Sequence, residues 1–199
     1  MQIFLATNNK NKIVEIKETI NKLLDKSIEI VYPEMLNIKL NPDETGNTFE
    51  ENAFIKASIF FNATKIPTLA DDSGLEIEAL DGLPGINSAR FAEAHNDAAN
   101  RKKVLELMKS EQNKTARFRS VLAFYTGKEM QYFNGIIEGK IIAEERGTNG
   151  FGYDPIFVPN GYNKTFAEMS STAKNSLSHR YLAVVEFCNW FAKIYFTDL

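Results

Sequence analysis

Two adjacent carboxylates stand in the stretch Asp71-Asp72-Ser73-Gly74, directly after the apolar run 66–70. The run is typical of a buried strand, so the pattern predicts that both carboxylates lie at a strand end. Mg²⁺ prefers hard oxygen ligands, and proteins usually supply one or two carboxylates and leave the other positions to water and substrate phosphates. The stretch therefore predicts a magnesium site. A plain turn is the alternative, because Asp, Ser and Gly also favour turns.

A polar segment lies between the first predicted strand and the first predicted helix. Backbone N–H groups at a helix N-terminus point outward, and the helix dipole there favours an anion. The segment therefore predicts a phosphate cradle, although it has neither the glycines nor the Gly-Lys-Ser/Thr ending of a Walker A loop. A solvated loop with an Asn or Thr helix cap is the alternative. Its residues are Thr7, Asn8, Asn9, Lys10, Asn11 and Lys12.

A glycine-rich segment, residues 147–155, suggests a base-binding loop. Its three glycines, Gly147, Gly150 and Gly152, allow the backbone to approach a ligand closely. Phe151 and Tyr153 offer flat faces that could stack on a nucleobase. A glycine-rich turn with a buried aromatic side chain is the alternative interpretation.

Three basic or titratable side chains, Lys174, His179 and Arg180, surround the predicted start of the last helix. Cations are electrostatically disfavoured at a helix N-terminus, so their presence is a local conflict that a bound anion or an electron-rich carbonyl would resolve. His179 has no Cys or carboxylate partner at zinc-like spacing, which argues against a metal role for it. A surface or core histidine is the alternative, but its basic neighbours favour ligand contact.

Alternating strands and helices must position these segments. Apolar periodicity predicts strands at 3–6, 28–32, 66–70, 116–125, 130–133 and 136–142, with a turn at Thr126-Gly127. It predicts helices from the polar segment to Leu24, at 98–109, at 178–195, and from a capping box at 48–51 through Phe54, Ile55, Ala57, Ser58 and Phe61. The last helix carries an apolar stripe of Leu182, Val185, Cys188 and Phe191. This order predicts an α/β fold with a mixed twisted sheet and flanking helices.

Composition narrows the function classes. The 199 residues carry a net charge of −3, which argues against nucleic-acid or anionic-membrane partners because those usually require a clustered basic face. The single cysteine, Cys188, excludes an intramolecular disulfide and fits a reducing compartment. The N-terminal residues lack the pattern of a signal peptide, so we expect a cytoplasmic protein. Without a visible repeat or linker, residues 1–199 are predicted to form one domain.

Six segments, taken in order, resemble the Ham1-like family, also called the inosine triphosphate pyrophosphatase family of non-canonical purine nucleoside triphosphate hydrolases. The match runs nearly from end to end of the chain. Each segment alone is a weak signal, but six in the same order are specific. They are 6–9 with Lys12, 44–53, 70–75, 82–85 with 88–90, 151–155, and 178–180.

The resemblance implies two lobes around a deep central cleft, a homodimer, and hydrolysis of ITP, dITP and XTP to the monophosphate and pyrophosphate. It also implies residue roles. The phosphate-loop positions are Thr7, Asn9 and Lys12, and Lys56 is a basic position that faces the phosphates. Asp72 is the catalytic and metal-binding carboxylate, either Asp43 or Glu44 is the second metal carboxylate, and Ser73 is a substrate contact. The base contacts are Phe151, Gly152, Tyr153, Asp154, Lys174, His179 and Arg180. Asn11 stands where many relatives carry glycine.

These roles form a coherent mechanism. Mg²⁺ held by Asp72 and the second carboxylate would neutralise the triphosphate, while Lys12 and Lys56 would offset charge on the departing pyrophosphate. Asp71 or Asp72 would orient or deprotonate the attacking water. Hypoxanthine and xanthine present a 6-oxo acceptor to buried donors, whereas adenine presents an amino donor, which leaves two donors facing each other.

Rival functions are expected to differ in simple assays. A nucleotide pyrophosphatase of the Maf type would share the chemistry and prefer other bases. A nucleotide-binding regulator would bind without turnover, although the acidic and lysine residues argue against it. A nucleic-acid-binding module fits the net charge poorly.

Overall fold

The computed structural model describes residues 1–24 and 28–196. Within those ranges the strands are β1 (Gln2–Leu5), β2 (Glu29–Val31), β3 (Thr68–Ile77), β4 (Thr115–Tyr125), β5 (Met130–Ile141) and β6 (Phe157–Pro159). The α-helices are α1 (Lys10–Leu23), α2 (Phe49–Thr64), α3 (Asp97–Leu107), α4 (Ser171–Asn175) and α5 (His179–Tyr195). No helix in the described ranges is long and apolar enough to cross a membrane.

The strands form one six-stranded sheet in the order β2-β1-β3-β4-β5-β6. β1 runs parallel to β2, with Ile3 opposite Ile30, and parallel to β3, with Leu5 opposite Leu69. β5 and β6 are antiparallel. The predicted α/β fold with a mixed sheet is therefore confirmed.

The described residues form two compact units. The first takes the residues up to Asp72, Ser120–Gly135 and the residues from Arg180 onward, and the second takes Ser73–Arg119 and Ile136–His179. Each unit has its own apolar core. The first core joins α1, α5 and residues of β1 to β5, and in it the rings of Phe124 and Phe187 lie 5.3 Å apart. In the second core the rings of Phe118 and Phe157 lie 4.8 Å apart. The single domain and the deep cleft stay predictions.

The first unit shows why α1 and α2 begin where they do. The Asn9 side chain caps α1 by accepting from the backbone N–H groups of Asn11 and Lys12. Thr48 caps α2 by accepting from the N–H of Glu51. The capping box is only half formed, because the Glu51 carboxylate accepts from the N–H of Asn47 instead of that of Thr48.

The predicted strand end after residue 70 is wrong, and so is the plain turn. β3 continues to Ile77 because Leu75 and Ile77 are fully buried while the intervening Glu76 is not, which is the alternation of a strand with one covered face. Asp71 and Asp72 therefore lie inside β3. The two strands predicted at 130–133 and 136–142 are one continuous strand, β5, since burial alternates across the gap at Gly135.

Two helices bury faces that differ in part from the predicted ones. α2 buries Ala53, Lys56, Ala57 and Phe60, which follow the helical repeat, and leaves Phe54 42% exposed. In α5 the predicted Cys188 and Phe191 are buried, but Leu182 is exposed and Val185 only half-buried. The other buried apolar positions of α5 are Ala183, Val184 and Phe187.

Candidate active site

A buried lysine joins two carboxylates in the first unit. The Lys56 ammonium, on the covered face of α2, donates to Oδ1 of Asp72 across 2.6 Å and to Oε1 of Glu44 across 2.8 Å. The other oxygen of Asp72, Oδ2, is buried and has no hydrogen-bond partner among the described residues. We call Glu44, Lys56 and Asp72 the carboxylate–lysine cluster.

Burial and charge set the protonation of this cluster. Burial raises the pKa of Asp72 to about 6, an effect that Lys56 opposes and that the Glu44 carboxylate reinforces. Burial alone would lower the pKa of Lys56, but the carboxylates of Asp72 and Glu44 outweigh it and raise that pKa. The lysine therefore stays charged, and Asp72 can take up a proton near neutral pH.

The donor set of the cluster fits Mg²⁺. The ion needs only one or two protein carboxylates, and the described residues contain no group of three or more His, Cys, Asp or Glu side chains that could hold a metal. Asp72 and Glu44 contact the same ammonium, and Oδ2 of Asp72 is a buried oxygen still able to accept a ligand. Asp43 is exposed. The structure thus favours Glu44 over Asp43 as the second metal carboxylate, which stays a prediction.

The loop that carries Glu44 is fastened to α2 by a residue that sequence reasoning missed. Asn52 is fully buried, and its Oδ1 accepts from the N–H of Gly46 across 2.8 Å. A side chain at position 46 would meet its neighbours, because an added Cβ would lie 2.6 Å from Cβ of Glu51. In the sequence, Asn52 could have been identified as a polar residue one helical turn before Lys56, on the face that α2 buries.

Asp71 belongs to a second set of charges in the first unit. Its Oδ2 accepts from the Lys12 ammonium at 2.8 Å and from Nε of Arg180 at 3.3 Å, and its Oδ1 accepts from the Ser120 hydroxyl at 2.5 Å. Arg180 is 2% exposed and also pairs with Glu15. We call these five residues the Asp71 network.

The charges of the Asp71 network stabilise one another. Burial would raise the pKa of Asp71, but Lys12 and Arg180 outweigh it and hold that pKa well below its usual range. The carboxylates of Asp71 and Glu15 likewise overcome burial and raise the pKa of Arg180. Asp71 is therefore an ionised ion-pair partner.

The segment predicted to bind phosphate contains an Asn helix cap, which was the alternative interpretation of this segment. Asn9 Oδ1 accepts from the N–H groups of Asn11 and Lys12 at 3.0 and 3.2 Å, and Oγ1 of Thr7 accepts from the N–H of Asn9. Asn8 donates to the carbonyl of Leu40. Lys10 and Asn11 are exposed in the first turn of α1. Phosphate binding by this segment stays a prediction.

The glycine-rich loop of the second unit differs from its prediction at one position. Tyr153 is 4% exposed and packs in the second core, where its hydroxyl donates to the carbonyl of Ser88 across 2.8 Å. Its ring face is therefore covered by protein, as the buried-aromatic alternative expected. Phe151 is only half-buried. Gly147, Gly150 and Gly152 all have positive φ angles, the conformation that favours glycine.

Lys174 and Asp154 form a buried ion pair beside Phe151. The Lys174 ammonium lies 2.6 Å from Oδ2 of Asp154 and 4.6 Å from the ring centroid of Phe151. The same carboxylate oxygen accepts from the N–H of Phe151. We call Phe151, Asp154 and Lys174 the aromatic–lysine cluster. Its geometry fixes one aromatic face and one cation together.

The remaining predicted contacts lie in different surroundings. His179 is buried, and its ring stacks on that of Phe118 at a centroid distance of 4.7 Å and an interplanar angle of 11°. Ser73 is half-buried in β3. Protein carboxylates compensate the positive charges around the start of α5, because Asp154 pairs with Lys174 and Asp71 pairs with Arg180. Base contact by His179, Arg180 and Ser73 stays a prediction.

Two surface cavities of the second unit are lined by residues outside these clusters. A cavity of about 380 Å³ in the second unit is lined by residues that include Glu76, Asp81, Arg117 and Glu138. Another, of about 510 Å³, is lined by residues that include Lys140 and Arg146. Neither lining includes a predicted site residue, so the candidate site rests on its chemistry.

Comparison with known proteins identifies the family. A family model described as the Ham1 family matches residues 3–190. The chain belongs to the Ham1 family. Among solved structures of this family, the chain resembles the Ham1 protein of Staphylococcus aureus with a TM-score of 0.88 at 35% identity, covering 98% of this chain and 100% of that one. The HAM1 protein of Coxiella burnetii gives a TM-score of 0.89 at 36% identity, with 97% and 99% covered.

Curated relatives of this Ham1-family chain carry an enzyme name. It is 44% identical to the dITP/XTP pyrophosphatase of Christiangramia forsetii over 194 residues, which cover 97% of this chain and all of that protein. It is 43% identical to the dITP/XTP pyrophosphatase of Aquifex aeolicus, with 90% and 91% covered. The matches span both units, so they include every cluster described above.

Proposed function

We propose that this chain hydrolyses the non-canonical purine nucleoside triphosphates dITP, XTP and ITP to the monophosphate and pyrophosphate. The names of its relatives support the reaction class. The observation that carries the proposal is the Asp72 carboxylate, which has one oxygen held by Lys56 and the other buried and able to accept a ligand. Such an arrangement serves phosphate chemistry, in which a metal ion and cations neutralise a triphosphate.

The carboxylate–lysine cluster would act on the phosphates. Asp72 and Glu44 would hold Mg²⁺, which supplies charge neutralisation of the triphosphate when bound. Lys56 keeps the two carboxylates together and adds a positive charge beside them. Lys12 would offset charge that develops on the departing pyrophosphate.

Of the two aspartates, Asp72 is the better candidate for the general base that acts on water. An effective general base has a pKa near the working pH. Burial raises the pKa of Asp72 to about 6, whereas Lys12 and Arg180 keep the pKa of Asp71 well below its usual range. Of the two, Asp72 would therefore orient the attacking water or take its proton, and Asp71 would stay ionised as the partner of Lys12 and Arg180.

The aromatic–lysine cluster would recognise the base. Phe151 offers a ring for stacking, and the Lys174 ammonium beside it is a donor for a 6-oxo group. Asp154 holds both elements in place through the Phe151 N–H and the Lys174 ammonium. Adenine has an amino group at that position. Two hydrogen-bond donors would then face each other, so adenine would bind poorly.

The proposal also includes a homodimer in the cytoplasm. The dimer follows from the family resemblance. The location follows from the single cysteine, Cys188, which is buried and free. Light scattering of the purified protein would test the dimer.

A pyrophosphate-release assay across ITP, XTP, dITP, GTP and ATP, with and without Mg²⁺, tests the reaction. We expect Mg²⁺-dependent pyrophosphate from dITP, XTP and ITP and much slower release from GTP and ATP. Inorganic phosphate as the main product would overturn the pyrophosphatase proposal. A preference for other bases would favour the Maf-type alternative, and nucleotide binding without product would favour a regulator.

A further inference from the structure

Two side chains of α3 hold the backbone of one glycine in the second unit. Gly152, in the glycine-rich loop, donates its N–H to Oδ2 of Asp97 across 2.7 Å, and its carbonyl accepts from Nη1 of Arg101 across 2.9 Å. Asp97 and Arg101 are four positions apart on α3, which puts both side chains on one helix face. We call Asp97, Arg101 and Gly152 the α3 clamp.

α3 is a fixed support for this clamp. Val104 is fully buried in the second core. Asn100 is 1% exposed, and its Oδ1 accepts from the N–H groups of Ala92 and Glu93 at 2.7 and 3.1 Å. Apolar packing and hydrogen bonds thus hold the helix, so the two clamp side chains extend from a backbone that is itself held in place.

The rest of the glycine-rich loop has anchors outside α3. The N–H of Arg146 donates to the carbonyl of Pro155 across 2.9 Å, which closes the base of the loop. The side chain of Asn149 donates to the carbonyl of Met169 across 2.9 Å. The α3 clamp therefore acts on the orientation of the peptide units around Gly152 within a loop that other contacts already form.

The peptide unit that Asp97 holds is the one that follows Phe151. Its carbonyl oxygen, on Phe151, accepts from the N–H of Asp154 across 3.2 Å, and its N–H is the group that Asp97 binds. The N–H of Phe151 itself donates to the Asp154 carboxylate, which also holds Lys174. Asp97 and Asp154 thus fix this peptide plane together, and its orientation sets where the Phe151 ring lies relative to the Lys174 ammonium.

The clamp adds little stability through its charges. Asp97 is exposed. The second partner of Arg101 is Glu145, which is 42% exposed and lies 3.0 Å from Nε as an ion pair without hydrogen-bond geometry. Contacts between exposed charges contribute little to the free energy of folding. The clamp therefore suits a role in orienting the loop.

We propose that Asp97 and Arg101 are positioning residues, which hold Gly152 so that the ring of Phe151 faces the purine base of the substrate. Base stacking by Phe151 rests on the proposed function. Both residues act through the loop backbone, and neither contacts the substrate. Their loss should therefore weaken substrate binding more than it slows the chemical step.

Two variants of Asp97 separate the hydrogen bond from the charge. Asp97→Ala removes the acceptor for Gly152, whereas Asp97→Asn keeps an acceptor and removes the same charge from the first turn of α3. We expect Asp97→Ala to raise KM for dITP about fivefold with kcat changed less than about twofold, and Asp97→Asn to change both by less than about twofold. An equal rise in KM for the two variants, or no rise with Asp97→Ala, would overturn the proposal.

A double-mutant cycle between positions 101 and 151 tests whether the clamp acts through the ring. Arg101→Met should raise KM for dITP about tenfold, but less than about threefold in a Phe151→Leu background. Equal rises in the two backgrounds would overturn the proposal. Lys102→Met is the matched control, because the Lys102 side chain is 78% exposed on the same helix, and it should leave KM unchanged.

Arg101→Lys is the milder variant, should Arg101→Met fail to fold by circular dichroism. It keeps a donor for the carbonyl of Gly152, so its rise in KM should be smaller and should likewise vanish in the Phe151→Leu background. Persistence of the same rise there would count against positioning.

Product binding keeps this test separate from the proposed function. If the wild-type protein releases no pyrophosphate from any nucleotide, the proposed function fails on its own. The cycle between positions 101 and 151 is then measured by calorimetry with dIMP, which carries the base, and with inorganic pyrophosphate, which does not. Coupled losses of dIMP affinity with unchanged pyrophosphate affinity support positioning. Independent losses, equal losses for both ligands, or no binding of dIMP by the wild type would overturn it.

Discussion

The ammonium of Lys56 lies 2.6 Å from Oδ1 of Asp72, with both side chains buried, and 2.8 Å from Glu44. One cation thus holds together two carboxylates that would repel each other if they were alone. Because Lys56 and Asp72 are buried, the charge on each strongly affects the other. Changing the carboxylates one at a time should therefore separate their roles.

Asp72→Asn should lower kcat about 100-fold or more, because the amide cannot accept the proton of water and is a poor metal ligand. The substitution is nearly isosteric, so the far-ultraviolet circular dichroism should match that of the wild type. Pyrophosphate release under saturating dITP and Mg²⁺ measures the effect. Near-normal turnover by a folded variant would contradict the role of Asp72.

Glu44 and Asp43 provide a matched pair of variants for identifying the second metal carboxylate. Glu44→Gln should raise the Mg²⁺ concentration that gives half the maximal rate, because Glu44 contacts the cluster. Asp43→Asn removes an equal charge from an exposed side chain and should leave that concentration unchanged. The opposite result would make Asp43 the second metal carboxylate.

Acid should destabilise the protein partly through Asp71. Lys12 and Arg180 hold the pKa of Asp71 well below its usual range in the folded protein. Its stabilising contribution is therefore complete above the unfolded pKa of about 3.9 and is lost as the pH falls through the folded pKa. Asp71→Asn should lower the free energy of unfolding at pH 7 by about 3 to 5 kcal/mol, and that difference should shrink toward acid pH.

Urea unfolding in EDTA at neutral and acid pH would measure this difference. Asp81→Asn is the control, because Asp81 is exposed and sits at a positive φ angle that Asn also tolerates. A difference between Asp71→Asn and the wild type that stays constant with pH would contradict the prediction.

Local pattern predicted most elements of the fold, because strands and helices differ in the period of their apolar residues. It failed where a strand continued through polar residues. Asp71 and Asp72 looked like a strand end, yet β3 carries them in its interior because Leu75 and Ile77 extend the buried face. A period of two is hard to recognise when charged residues occupy its buried positions.

The sequence indicated the reactive residue types but not which groups neutralise one another. Arg180 and Asp71 are 109 positions apart, and Arg180 and Glu15 are 165 apart. Their pairing depends on the arrangement of α1, β3 and α5 in the first unit, which local spacing does not contain. For the same reason the two protein carboxylates that pair with Arg180 could not be predicted, while its contact with a ligand stays a prediction.

Lys174 should control base discrimination. Lys174→Met should lower kcat/KM for ITP about tenfold or more and that for ATP by less than about threefold, because only the 6-oxo group accepts from the ammonium. Since the change leaves Asp154 buried without its cation, the double variant with Asp154→Asn should restore folding without restoring discrimination. Lys164→Met, at an exposed position of the second unit, is the control. Equal losses with ITP and ATP would move Lys174 away from the base.

The last prediction concerns the bond that breaks. A covalent intermediate needs an activated nucleophile. Cys188 is a poor one, because burial raises the pKa of its thiol to about 12. Asp72, whose buried Oδ2 has no hydrogen-bond partner among the described residues, is instead the candidate to orient or deprotonate water. We therefore expect the water oxygen to bond to the α-phosphorus as the bond from that phosphorus to the bridging oxygen breaks and pyrophosphate leaves.

Hydrolysis of ITP in ¹⁸O-water, with mass spectrometry of both products, tests this step. Direct attack on the α-phosphorus places one ¹⁸O atom in the monophosphate and none in pyrophosphate. A single turnover with enzyme in excess should give the same labelling, because no oxygen atom of an enzyme side chain enters the monophosphate. Label in pyrophosphate alone would move the attack to the β-phosphorus. Unlabelled products from a first turnover would instead show that an enzyme side chain had supplied the oxygen, and Asp72 as base for water would then be wrong.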